Sequence, residues 1–157
     1  MKKFLFGFGA FVLVILIGAC GGGSTDAAAE GAEKPKSMLA EPASDDPMQN
    51  KGIGPVSSVS LGADVDQQMA EKGKAVYEKM CLACHKPTEK FIGPAPKGIL
   101  ERRSPEWVMN MILNPVEMVQ KDPIAMELLK EYNNAPMANQ NLTEEDARAV
   151  LEYFRTL

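Results

Sequence analysis

The sequence predicts a small all-α domain, and three stretches with helical signals support this fold class. Apolar residues recur at helical spacing between residues 65 and 80. Ser104 and Pro105 are typical of an N-cap and a first helical position, which predicts a helix extending to about residue 113. Residues 142–146 supply a hydrophobic staple, a capping threonine and an acidic first turn ahead of a final helix.

The segment Cys81-Leu82-Ala83-Cys84-His85 is the C-x-x-C-H signature of covalent c-type heme attachment. Each cysteine can form a thioether with a heme vinyl group, and the adjacent His85 can then bind the iron. A structural zinc site is disfavoured because the sequence lacks a second pair of ligands. A thioredoxin-like redox pair is disfavoured because the flanking residues predict a helix followed by a loop, not a βαβ unit.

His85 is the only histidine in the chain, so the second axial ligand of the iron is expected to be a methionine. Five methionines lie between the motif and the last helix: Met109, Met111, Met118, Met126 and Met137. Most methionines at helical spacing fill cores. Met137 is favoured because it lies in a polar loop, where an apolar residue has no amphipathic role, and Met126 is the alternative.

Residues 1–19 have the features of a lipoprotein signal peptide. Two lysines precede an apolar run of sixteen residues, and Ile17-Gly18-Ala19-Cys20 resembles a lipobox. Such a run falls short of the roughly twenty residues that span a bilayer, which disfavours an uncleaved anchor. Cys20 is therefore predicted to carry lipid on the periplasmic side of a bacterial membrane. Gly21, where an inner-membrane lipoprotein commonly has aspartate, favours the outer membrane.

Residues 20–62 are predicted to form a lipid-anchored flexible linker, and residues 63–157 a single domain. The linker is rich in small and charged residues and has no aromatic residue, so it buries too little apolar area to order itself. Residues 53–61 form a short apolar patch that could dock on the domain or remain linker. A domain this small has a thin core, so we expect its folding to depend on the heme.

The helical segments on either side of the motif resemble the class I cytochrome c family. Gly73, Tyr77 and Cys81 match the glycine, the aromatic and the first heme cysteine of that family's N-terminal helix. Its C-terminal helix pattern is matched by Val150, Tyr153 and Phe154. The resemblance covers about residues 69–157 and implies a class I cytochrome c fold, in which these two helices cross at the glycine around one covalent heme c.

The resemblance also implies roles around the heme. The carbonyl of Pro94 is expected to accept a hydrogen bond from the His85 ring, although an ordinary Gly-Pro turn is the alternative. Arg102 and Trp107, and less strongly Arg103, are candidates to bind a heme propionate; solvated arginines are the alternative. In the family the methionine ligand occupies the loop of Met137, usually as Met-Pro, whereas this chain has Pro-Met.

Charge is distributed unevenly along the chain, which has a formal net charge of −4. The segment around the motif is basic: Lys79, Lys86, Lys90, Lys97, Arg102 and Arg103. Residues 104–157 carry an acidic excess. The basic segment could steer an acidic redox partner toward the heme or could be an ordinary solvated surface. Neither pattern suggests nucleic-acid binding.

We therefore expect a monomeric, membrane-tethered one-electron carrier that is not an enzyme. It would pass electrons from a quinol-oxidising complex to a terminal reductase or oxidase. Three stretches, residues 93–100, 102–107 and 136–143, resemble small cytochromes that accompany nitrous oxide reductase systems, with a heme-copper oxidase as the other candidate acceptor. A gas or redox sensor with a displaceable Met137, or less readily a peroxidase, is the alternative function.

Overall fold

The structure is a computed structural model that describes residues 46–157. Five α-helices and one short 3₁₀ helix form this part of the chain, which contains no β-strand. The helices are α1 (Gln67–Met80), α2 (Pro105–Leu113), α3 (Pro115–Lys121), α4 (Pro123–Glu131) and α5 (Glu144–Phe154), with the 3₁₀ helix Ile99–Glu101 before α2. The predicted all-α class is confirmed. The signal peptide, Cys20 and residues 20–45 of the predicted linker lie outside the described residues.

Side-chain caps determine where most of the helices begin. Asp66 caps α1, Ser104 caps α2 and Asp122 caps α4, each accepting from a backbone N–H three residues later. Thr143 and Asp146 form a reciprocal capping box at the start of α5. A proline occupies the first position of α2, α3 and α4, where its missing N–H costs nothing.

Helices α1 and α5 cross in close contact at Gly73. A Cβ atom on Gly73 would overlap the carbonyl oxygen of Ala149, so only glycine allows the two backbones to approach this closely. One turn further on, the Tyr77 ring packs against two aromatic rings of α5, with centroid distances of 5.3 Å to Tyr153 and 5.8 Å to Phe154. The predicted crossing of the N- and C-terminal helices is thereby confirmed.

Glu152 on α5 connects this helix to the start of α1. Its side chain is 1% exposed and accepts hydrogen bonds from Asp66 N–H, Arg148 and Arg155. Burial alone would raise the pKa of Glu152, but the hydrogen bond from Arg148, that from the Asp66 N–H and the two guanidinium charges outweigh it, and the pKa is lowered. Arg155 also donates to the carbonyl of Gly62, which fixes the chain just ahead of α1.

Residues 50–61, which lie within the predicted linker, pack on α2 and α3. Val56 belongs to the main hydrophobic core, and its N–H donates to Asn110 Oδ1 at 2.9 Å. Asn110 also donates to the carbonyls of Val56 and Lys51, and the N–H of Ile53 donates to Met118 Sδ. Of the two alternatives left open for residues 53–61, these contacts favour docking on the domain. We call residues 50–61 the docked segment.

None of the helices within residues 46–157 is long and apolar enough to cross a membrane.

Candidate heme-binding site

A mainly apolar cavity lies between the end of α1, the loop before α2, helix α4 and the loop ahead of α5. Its volume is about 230 Å³, and a second cavity of about 80 Å³ shares part of its lining. Seven residues line both cavities: Cys81, His85, Pro94, Ile99, Trp107, Met111 and Met137. The structure thus brings the motif, the predicted axial methionine and the tryptophan of α2 to one place.

The C-x-x-C-H motif forms a tight turn directly after α1. Cys81 is the C-cap of α1, and its carbonyl accepts from Cys84 N–H at 3.0 Å and from His85 N–H at 2.9 Å. Neither cysteine forms a disulfide within residues 46–157, and both line the main cavity. Burial, and next the charge of Cys84, raises the pKa of the Cys81 thiol to about 11. This turn presents both sulfur atoms and the imidazole toward the same space.

The His85 ring is held in place from two directions. Its Nδ1 donates to the carbonyl of Pro94 at 2.8 Å, which is the hydrogen bond expected from the resemblance and which leaves Nε2 free to bind a metal. A Cβ atom on Gly93 would overlap Cε1 of the His85 ring, so glycine is needed beside the imidazole.

The backbone of His85 is fixed as well, because the Tyr77 hydroxyl donates to its carbonyl. Burial, with a smaller effect of Tyr153, raises the pKa of Tyr77 to about 12, so this hydroxyl keeps its hydrogen at neutral pH. The aromatic residue of α1 thus supports the turn that carries His85.

Met137 lies in the loop between α4 and α5, is half-buried and lines both cavities. Three asparagines with positive φ shape this loop, namely Asn133, Asn134 and Asn141. Met126, the alternative ligand, does not line either cavity, whereas Met111 does. Met80 also lines the main cavity, although it precedes the motif and was not among the five candidate methionines.

The Trp107 indole has a protein partner in this structure. Its Nε1 donates its single hydrogen to Asp122 Oδ1 at 3.0 Å, and its ring lines the cavity. A propionate role for Trp107 stays a prediction. Arg102 donates to the carbonyls of Lys97 and Ala95, each at 3.0 Å, and thereby holds the loop before α2. A propionate role for Arg102 stays a prediction.

Arg103 fits an acidic group in the cavity better than its neighbour does. Its Nε is the one buried side-chain nitrogen or oxygen of residues 46–157 without a hydrogen-bond partner, and its guanidinium lies 5.3 Å from the centre of the Trp107 ring. Burial, then Arg102, lowers the pKa of Arg103. An anion at this place would accept a hydrogen bond from Arg103 Nε. Its negative charge would also offset the cost of burying the guanidinium and of placing it beside Arg102.

These features fit a heme. The lining is mainly apolar, and two cysteine side chains and two potential iron ligands face the cavity. The buried N–H of Arg103 Nε has no acceptor within residues 46–157. When bound, the heme supplies an iron that takes up and releases one electron. The chain supplies the two attachment sulfurs and an oriented imidazole, and its apolar walls exclude water from the iron.

Sequence reasoning missed the buried polar residues behind this cavity, Asp122 and Asn50. Asp122 is fully buried and follows an exposed lysine, so neither hydropathy nor charge indicates that it lies inside. The Asp-Pro pair at residues 122 and 123 is the one signal that could have located it, since it is typical of an N-cap and a first helical position. Asn50 had no signal, because its segment resembles a linker in composition.

An all-α domain with these ligands around one apolar cavity defines a mono-heme c-type protein, and the comparisons agree. The family model for cytochrome c matches residues 70–157. Cytochrome c from Rhodothermus marinus is 44% identical, covers 66% of this chain and 88% of its own length, and superposes with a TM-score of 0.63. An engineered variant of it with a bound carbene intermediate has a TM-score of 0.61 at 44% identity, covering 66% of this chain and 88% of its own.

A more distant structure, the cytochrome c domain of a Pseudomonas putida protein, is 28% identical over 54% of this chain and 85% of its own, with a TM-score of 0.50. No curated protein sequence matches significantly. The chain belongs to the cytochrome c family, and its fold is that of class I members. It is accordingly a heme-based electron carrier with one covalently bound heme c at the motif that contains Cys81 and Cys84.

Proposed function

We propose that this protein carries single electrons between protein partners on the periplasmic side of a bacterial membrane, with His85 and Met137 as the axial ligands of its heme. The observation that carries this proposal is that both residues line the same two cavities, while His85 Nδ1 is engaged by Pro94 and Nε2 is free. Ligation by histidine and methionine raises the reduction potential, which suits a carrier that delivers electrons to a terminal acceptor.

Replacing Met137 by alanine tests this ligation. The variant should lose the weak long-wavelength charge-transfer band of ferric iron bound to methionine, and its reduction potential should fall. Met126→Ala is the matched control, because Met126 lies outside both cavities, and it should keep the band. A band that persists in Met137→Ala and disappears in Met126→Ala would disprove the assignment.

A sensor or a peroxidase with a displaceable Met137 is the competing function. Most residues of the Met137 loop are exposed, and few hydrogen bonds fix it to the rest of the domain. Carbon monoxide distinguishes the two functions. The reduced carrier, with both axial positions filled, should resist binding, whereas a sensor or peroxidase should bind the gas readily and shift its Soret band.

We further propose that Cys20 carries the lipid anchor, with residues 1–19 removed as a signal peptide. The apolar run and lipobox support this. Cys20→Ser should release the protein into the soluble fraction with its heme spectrum unchanged, and continued membrane association of the processed protein would contradict the proposal.

The expected donor is a quinol-oxidising complex. Nitrous oxide reductase is the first candidate acceptor, on sequence resemblance alone, and a heme-copper oxidase is the second.

The partner is proposed to dock where the motif reaches the surface. Cys84 is exposed, and Phe91 and Ile92 beside the motif are 52% and 50% exposed. Lys79 and Lys97 are also exposed there, while Lys86 lies 5.1 Å from the centre of the Phe91 ring. Lys90 contributes less free charge, since it pairs with Glu131 at 2.9 Å.

If this face steers an acidic partner, the bimolecular electron-transfer rate should fall as salt shortens the Debye length from roughly 30 Å at 0.01 M to about 8 Å at 0.15 M. Lys79→Glu together with Lys97→Glu should lower the rate at low salt and flatten that dependence. Lys121→Glu, on α3, is the control and should change neither. A wild-type rate indifferent to salt would refute steering.

A further inference from the structure

Asp122 is a fully buried carboxylate that lies directly behind the wall of the heme cavity. It is 0% exposed, and the side chain of Trp107, which it contacts, lines both cavities. Ala125, whose backbone N–H also donates to Asp122, lines the main cavity. The carboxylate is thus one residue layer away from the space that holds the heme.

The surroundings of Asp122 suit a carboxylate anion, because every polar neighbour is a donor. Oδ1 accepts from Trp107 Nε1 at 3.0 Å and from Ala125 N–H at 2.8 Å, and Oδ2 accepts from Asn50 Nδ2 at 2.6 Å. Asn50 is oriented in turn, since its own Oδ1 accepts from Gly52 N–H. Hydrogen bonds of this kind favour the charged form of a carboxyl group.

No basic side chain within residues 46–157 forms an ion pair with Asp122. The Arg103 guanidinium interacts with the charge of Asp122 without forming an ion pair with it, so the hydrogen bonds of this buried carboxylate come from neutral donors and its charge is costly to maintain. A helix cap alone does not require it, because Ser104 and Thr143 cap their helices without being charged at a buried site. The negative charge therefore calls for a role besides capping.

We propose that Asp122 is a positioning residue that lowers the reduction potential of the heme, through its buried negative charge and through its hold on Trp107. Uptake of an electron removes one positive charge from the heme iron, so a nearby buried anion stabilises the oxidised state relative to the reduced state. The low dielectric of the interior makes this effect larger than that of any surface carboxylate at a similar distance. Asp122 would thus offset part of the rise that methionine ligation produces.

The reduction potential of the holoprotein tests this proposal. Asp122→Asn removes the charge, so at a fixed ambient potential the ratio of reduced to oxidised heme should rise several-fold. Glu127→Gln is the matched control, because Glu127 is an exposed carboxylate on the same helix, and it should leave the ratio unchanged. A ratio for Asp122→Asn equal to that of the wild type would overturn the proposal and leave Asp122 a purely structural residue.

A double variant, Asn50→Asp with Asp122→Asn, separates charge from packing. The new amide at position 122 can still accept from Trp107 and Ala125 and can donate to the new carboxylate at position 50, which still accepts from Gly52 N–H. The negative charge stays buried and moves by one hydrogen bond, to position 50. The swap should unfold at the same temperature as the wild type and should restore a ratio of reduced to oxidised heme close to that of the wild type. A ratio several-fold above the wild type in the swap would overturn the proposal, even if Asp122→Asn alone does not fold.

Discussion

Gly93 illustrates how one absent side chain orients the proposed iron ligand. Its backbone passes so close to the imidazole of His85 that the three nearest atoms to an added Cβ would all belong to that ring. The next residue, Pro94, supplies the carbonyl that accepts from Nδ1. Together the two residues set both the position and the tautomer of His85, so the Gly-Pro pair is more than an ordinary turn.

Gly93→Ala should push the ring away from its position and break the Pro94 hydrogen bond. Overpacking of this kind costs about 1 to 3 kcal/mol, so we expect a shifted Soret band and a lower yield of heme-loaded protein. Gly62→Ala is the control, because a Cβ on Gly62 would meet only an ordinary contact at 3.4 Å from the carbonyl oxygen of Asp64. Equal heme spectra for the two variants would contradict this account of Gly93.

At the scale of helices, Glu152 adds polar contacts to the close backbone contact of α1 and α5 at Gly73. The crossing brings the backbones of α1 and α5 together, and Glu152 then joins the N-terminus of α1 to Arg148 of α5 and to Arg155, which directly follows α5. Arg148 and Arg155 are 23% and 14% exposed, so removing their common partner would leave two poorly solvated cations. One carboxylate therefore satisfies three donors.

Glu152→Gln should lower the free energy of unfolding at pH 7 by about 1 to 3 kcal/mol, the usual cost of an unsatisfied buried group. Because the folded-state pKa of Glu152 is lowered, the carboxylate stabilises the fold above its unfolded pKa of about 4.3, and this contribution is lost as the pH falls through the folded pKa. The difference between variant and wild type should therefore shrink below about pH 4. Urea titrations across this range measure it.

The exposed Glu145 provides the control for that series, since Glu145→Gln on the same helix should change stability by less than about 0.5 kcal/mol at any pH. A difference between Glu152→Gln and the wild type that stays constant from pH 7 to pH 3 would show that the charge of Glu152 is not what stabilises the crossing.

The helices that the sequence predicted are those with strong local signals. Helix α2 has the predicted bounds, and α1 begins at Gln67, two residues after the predicted Val65. Helices α3 and α4 were not predicted, because they have only seven and nine residues and their apolar residues face the cavity as well as the protein core. An apolar pattern that faces a cofactor does not have the simple periodicity of a helix on a protein core.

In the site, too, the residues that could be predicted are those with a local signal. The motif, Pro94 and Met137 could be located because their chemistry is local or matches the family. The partner of the Trp107 indole could not be located, because Asp122 lies fifteen residues away in the sequence and reaches Trp107 only through the packing of α2 against α3. Long-range hydrogen bonds of single polar residues leave no pattern in a sequence.

At the scale of the described chain, the docked segment shows which alternative the structure favours for residues 53–61. It contributes few large side chains, so its composition matches a linker. Side chains of α2 hold the segment by hydrogen bonds to its backbone. Asn110 accepts from the Val56 N–H and donates to the Val56 carbonyl, and Glu106 accepts from the Val59 N–H. Asn50, the first residue of the segment, donates a hydrogen bond to Asp122 behind the heme cavity.

A chain that begins at Gly62 should therefore be less stable than one that begins at Asp46, although both retain the complete family match. Deletion removes Val56 and exposes the core residues that it covers, which costs about 1.5 to 3 kcal/mol. It also removes the partners of the Asn110 side chain in the segment and takes the Asn50 donor from Asp122, each at about 1 to 3 kcal/mol. Denaturant titration of the two holoproteins, followed by the fluorescence of Trp107, the only tryptophan, measures the difference.

Asn110→Ala in the longer chain should reproduce part of the loss, because it removes the hydrogen bonds and keeps the segment. Equal unfolding midpoints for the two chains would mean that the docked segment adds no stability and that the domain begins, as its composition suggests, near residue 63.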